Sequence, residues 1–95
     1  MTKSKSVTIH VPPPLRERCG GDSKLFLSAD SVRAALDQIE QTHSWLYQGI
    51  CDETGAVRRH INVFVNTSNI RDEQGLDTPV GHGDIITIVP AVSGG

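Results

Sequence analysis

One stretch of this chain repeats its apolar residues at helical spacing, and the apolar runs around it are spaced as strands. Val32, Ala35, Leu36 and Ile39 fall at i, i+3, i+4 and i+7, one face of an α-helix. Asp30 or Ser31 is placed to cap its start, and Asp37, Gln38, Glu40 and Gln41 form its wet side until the pattern fades at Thr42-His43. Before it, Val7-Thr8-Ile9-His10-Val11 alternates at period two, and Lys24-Leu25-Phe26-Leu27-Ser28 follows the turn Gly20-Gly21-Asp22. After it, His60 to Val65 puts Ile61, Val63 and Val65 in phase, and Ile70-Arg71 begins a short fourth strand. Ile85 to Val89 is the densest β-forming run. A lone helix among strands has to cover one face of one sheet. The expected order is β-β-α-β-β-β, an α+β chain with a mixed sheet and one main helix packed on one face. The outer hairpins are antiparallel, and the first and last strands are expected as parallel central neighbours.

Between these elements the signals are weaker. Pro12-Pro13-Pro14 ends the first strand or keeps it extended at an edge, after which Leu15 and Cys19 can pack back toward the core. Ser44 to Arg59 is irregular, anchored by Leu46, Ile50 and Trp45, with Trp45 expected as a lid on the core. His10 and His82 are expected to face solvent. The boundaries read as a polar leader over 1–6, one folded domain over 7–92 and a thin tail over 93–95.

The charge balance narrows the function. A formal net charge of -2, with both signs interspersed, offers no basic field for nucleic acid. No apolar stretch is long enough to span a bilayer, and no signal-like apolar region opens the chain, so a soluble cytoplasmic protein is expected. Cys19 and Cys51 lack CxxC spacing, and a zinc or iron–sulfur site needs about four ligands. They read most simply as buried or half-buried thiols in a reducing compartment, with a disulfide between them the lesser alternative. No metal site is expected in the chain.

What remains is the end. Gly83-Asp84 is a turn signal before the last strand, and Pro90 has no amide hydrogen with which to continue a ladder. Beyond it, Ala91, Val92, Ser93, Gly94 and Gly95 are too few and too small to bury anything. Without a Cβ, Gly94 and Gly95 can enter a channel too narrow for a side chain, carrying the α-carboxylate into another protein's active site. Ile86 and Ile88 take the core phase of the strand, which leaves Val89 and Val92 for an exposed apolar patch that meets partners.

These pieces resemble the ubiquitin-like sulfur carriers of the MoaD/ThiS family over nearly the whole chain. The resemblance rests on Val7 to Pro12 with Leu15-Arg16, on Gly20-Gly21, on the Val32 to Ile39 helix, and on Ile61 to Asn66 with Ile70-Arg71. Above all it rests on Gly83 to Gly95. Pro90-Ala91 in place of a double proline, the Gly20-Gly21 loop and Gly75-Leu76-Asp77-Thr78-Pro79 look more like the cysteine-biosynthesis carriers than the molybdopterin synthase small subunit. The resemblance implies a β-grasp fold, no bound cofactor and no catalytic group in the chain. It implies an E1-like adenylating and sulfurtransferase partner that uses ATP and Mg²⁺ to activate Gly95, with Ser93 and Gly94 as the tail. It further implies a thiocarboxylate at Gly95 and a sulfur-accepting synthase of the pyridoxal-phosphate kind. A JAMM-type metalloprotease would then release the product. Val89, Pro90, Val92 and Arg71 are the partner-binding residues it suggests. The alternatives are a ubiquitin-like modifier joined to lysines through Gly95, or a donor of molybdopterin or thiamine type.

Overall fold

The computed structural model describes residues 6–91. The expectations for residues 1–5, Val92 and the 93–95 tail concern residues outside that range. The elements run β1 (Ser6–His10), a 3-10 helix (Pro13–Cys19), β2 (Lys24–Ser28), α1 (Val32–Thr42), α2 (Ser44–Ile50), β3 (Ile61–Val65), β4 (Ser68–Asn69), 3-10 turns at Ile70–Asp72 and Gly75–Asp77, and β5 (Ile85–Pro90). The five strands form one sheet in the order β2-β1-β5-β3-β4. β5 is therefore central. It lies parallel to β1, with Ile9 opposite Ile86, and antiparallel to β3, with Val63 opposite Ile88. The parallel pairing of the first and last strands is as expected, though strand patterning alone does not establish it.

The sheet is covered on one face. Val7, Ile9, Leu25, Ile61, Val63, Ile86 and Ile88 point inward, and Val32, Ala35, Leu36 and Ile39 of α1 complete the same core. Ser31 caps α1 by accepting from the Ala34 N–H at 3.1 Å. Leu15 and Cys19 pack into this core as expected.

Three local features depart from the sequence reading, and one expected alternative is decided. The proline run ends β1 rather than keeping it extended. Its fixed φ suits the start of a helix, and Pro13 begins the 3-10 helix, which ends at Gly20 and Gly21, with φ of 76° and 89°. The irregular segment after α1 contains α2, which buries Leu46 and Ile50 one helical turn apart. Gly49 inside α2 is a close-approach residue, because a Cβ there would stand 3.1 Å from the Leu15 side chain. Trp45 is not a core lid. Its neighbour Leu46 takes the inward phase of α2, so Trp45 is 52% exposed, with the Arg18 guanidinium 5.3 Å from its ring centre. Finally, Ile70-Arg71 is not a strand. The fourth strand is the two-residue Ser68–Asn69, joined to β3 through Asn66 at φ 56°, and the chain then winds into a 3-10 turn capped by Asn69.

Candidate functional site

The described part of the site is the root of the tail and the face of the sheet that leads to it. Strand alternation sends Ile86 and Ile88 into the core and leaves Ile85, Thr87 and Val89 on the opposite face. Their cross-strand partners on that face are Thr8 and His10 of β1 and Asn62 and Phe64 of β3, with Phe26 of β2 beyond Thr8. Both helices contribute to the core on the other side. This outer face carries Phe26 at 75% exposure, Val89 at 39% and Ile85 at 36%. Val89 is thus where the sequence places it. Phe26 and Ile85 were missed, although their phase was available: each alternates with a core residue of its own strand.

The strand end is held on both sides. Pro90 stands opposite Ile61, and the Ala91 N–H donates to the His60 carbonyl at 2.6 Å, so the ladder outlasts the proline by one bond. On the β1 side, a shallow groove of about 250 Å³ separates Val11–Pro12 from Val89–Pro90, with His10 and Arg16 in its lining. The Arg16 Nε donates to the Val11 carbonyl at 3.0 Å.

Arg71 is exposed, yet its guanidinium is engaged. It donates to Asn62 Oδ1 at 2.7 Å, to the Ile61 carbonyl at 3.0 Å and to the Arg59 carbonyl at 3.4 Å. β4 is too short to reach this part of β3, so the arginine takes the place of the missing strand. It braces the same residues that hold Val89 and Pro90 from the other side.

The thiols offer no competing chemistry. Both are free and buried. Burial, with Asp22 next, pushes the Cys19 thiol up, and the sulfur bonds to the Arg16 and Asp22 carbonyls. Burial pushes Cys51 up to about 11, so it is protonated and unreactive at neutral pH. A cavity of about 430 Å³ lies over Cys51 among Glu40, Tyr47, Asp52 and Arg58. The Asp52 carboxylate there serves its own turn, accepting from the Thr54 hydroxyl and N–H and from the Ala56 N–H, which holds its carboxyl below the usual range. Among the described residues, no group of three His, Cys, Asp or Glu side chains is placed to hold a metal ion. No described helix is long and apolar enough to cross a membrane.

Residues 9–95 match the family model described as ThiS family. The chain belongs to the ThiS family. It is 34% identical over 92 residues to the sulfur carrier protein CysO of Mycobacterium tuberculosis, covering 95% of this chain and 99% of the relative. Among solved structures, the CysO chain of the Amycolatopsis orientalis BexX/CysO complex superposes with a TM-score of 0.86 at 35% identity, covering 94% of this chain and 99% of that one. The small archaeal modifier protein 1 of Methanosarcina acetivorans superposes with a TM-score of 0.82 at 31% identity, covering 99% of this chain and 100% of that one. The ThiS-family chain thus has the ubiquitin-like β-grasp fold that its patterning and its resemblance predict.

Proposed function

We propose that this chain is a sulfur carrier in the cytoplasm, a protein cosubstrate whose Gly95 carboxylate is activated by a separate E1-like enzyme. The observation that carries the reading is the match that extends through residue 95, joined to a strand end held by β3 and flanked by an open apolar face. A carboxylate is a poor electrophile. Its oxygen would attack the α-phosphorus of ATP in the partner, with Mg²⁺ there, giving an acyl-adenylate and releasing pyrophosphate. Hydrosulfide would then attack the acyl carbon, forming the C–S bond as the bond to AMP breaks. The product is a thiocarboxylate, anionic and nucleophilic at neutral pH. Relatives named as CysO favour a cysteine-forming synthase of the pyridoxal-phosphate kind as the acceptor, with a JAMM-type metalloprotease freeing the product. Val89 and the neighbouring outer face would dock these partners, with Pro90 and Val92 alongside.

A second reading has its own support. The similarity to small archaeal modifier protein 1 favours capture of the same activated Gly95 by lysines on other proteins. Intact mass after incubation with the adenylating enzyme, ATP and sulfide separates the two. The carrier gains the mass of one sulfur in place of one oxygen, and the gain disappears when Gly95 is deleted. ATP turnover with higher-mass protein adducts and no such gain would replace the carrier reading with the modifier.

A further inference from the structure

Three arginines far apart in the sequence come to one end of the sheet. Arg16 reaches the tail root from the β1 side, held on the Val11 carbonyl and lining the groove against Val89 and Pro90. Arg71 reaches it from the β3 side, and the exposed Arg59 and His60 directly precede the residue that pairs with Pro90. Lys24, opposite His10 in the β1–β2 register, extends the same end of the sheet. At the other end of β5 stand Asp84 and Asp30, whose carbonyl receives the Val80 N–H.

Among the described residues, no salt bridge neutralises Arg16, Arg59 or Arg71. Among the described residues, the only salt bridge joins Arg33 to Asp77 at 3.0 Å, on α1 and the turn after β4. Glu17 and Asp72 are the sequence neighbours of Arg16 and Arg71 but pair with neither. Instead, backbone carbonyls and Asn62 hold the guanidinium groups of the half-buried Arg16 and the exposed Arg71. Fixed, uncompensated charge around an opening acts at long range and orients an approaching partner.

We infer that Arg16, Arg59 and Arg71 form a basic collar around the tail root, and that it docks on an acidic lip at the mouth of the enzyme that activates Gly95. The inference rests on the carrier reading for the identity of that enzyme. A protein surface fits better than a polyphosphate or a lipid headgroup layer, because the collar adjoins the exposed Val89 and a polyanion offers that side chain no apolar counterpart. The collar also meets a need of the reaction. The tail brings one anion, a carboxylate, toward another, the triphosphate, and attraction at the rim offsets that repulsion.

The test is the association rate of the purified chain with the E1-like adenylating enzyme of the same organism, followed by stopped flow across a range of NaCl concentrations, with thiocarboxylation by intact mass in parallel. Wild-type association should slow steeply as salt rises. Arg59→Glu should reduce the low-salt rate about tenfold and converge with wild type once the Debye length falls to about 3 Å near 1 M salt. The Arg59 side chain is exposed, so an unchanged melting temperature shows that this variant is folded. Arg16→Glu should repeat the loss, and Arg33→Gln should leave the rate unchanged. Adenylation of wild type with wild-type rates and salt dependence in both reversal variants overturns the collar and leaves the carrier. Salt-dependent binding lost in Arg59→Glu, without any thiocarboxylate in wild type, supports the collar and overturns the carrier. No binding by wild type overturns both.

Discussion

Two faces of one strand set stability and recognition apart in this molecule. On β5, Ile86 and Ile88 are almost without exposure, while Ile85 and Val89, each one residue away, are more than a third exposed. The inner pair meets α1 and the flanking strands; the outer pair meets solvent beside Thr8, His10 and Asn62. Period-two alternation lets a six-residue strand perform both tasks without exchanging residues between them. Substitutions on one face should therefore be felt in the fold, and substitutions on the other in the encounter with partners.

The sharpest way to break this comparison is on the inner face. Ile86→Ala removes fully buried carbons from the centre of the sheet and is expected to cost about 2–5 kcal/mol, read as a shifted denaturant midpoint with an unchanged slope. A loss under about 1 kcal/mol would mean that the core closes over the gap and that the two faces are less distinct than they look.

A smaller effect is expected where the faces are joined. Arg71→Lys keeps the charge but cannot span Asn62 Oδ1 and two backbone carbonyls with one planar fork. It should cost about 1–3 kcal/mol and speed amide hydrogen exchange at the start of β3. Wild-type stability in this variant would show that the bracing is supplied by β5 alone.

How much of this was legible in the sequence follows from which phases were followed. The alternations of β1, β3 and β5 and the helical repeat of α1 are strong periodic signals, and they located the core and the outward position of Val89. The central place of the last strand was expected, but periodicity alone does not establish it. α2 has seven residues and carries Gly49, which weakens a helix but here leaves room for the Leu15 and Arg18 side chains. Its signal was the single pair Leu46 and Ile50, and following it would have placed Trp45 outside. Ile70-Arg71 has strand composition, but Ile70 fills the core from a 3-10 turn while Arg71 turns back on β3. Such tertiary hydrogen bonds leave no periodicity. The arginines of the collar were visible as residues but looked scattered, because only the sheet order brings Arg16, Arg59 and Arg71 to one end.

The smallest expected change in stability belongs to the outer face. Val89→Asp should cost about 1 kcal/mol, since the side chain is partly in water but aspartate is disfavoured in a strand. In the thiocarboxylation assay it should raise KM severalfold while leaving kcat near wild type. An unchanged KM would take Val89 out of the docking surface, and a large loss of stability would remove the division between the faces.

Pro90 also bears on how the protein behaves at high concentration. The Ala91 N–H points to β3, so by strand alternation position 90 faces the side that β1 occupies earlier in the sheet. There β1 has already left the sheet through Pro12 and Pro13, and the proline at 90 presents no donor in its place. A foreign strand entering that gap finds carbonyls without matching amides. The end of the sheet that has to remain open to partners is thereby a poor template for self-association, which keeps exposed β-structure from seeding aggregates.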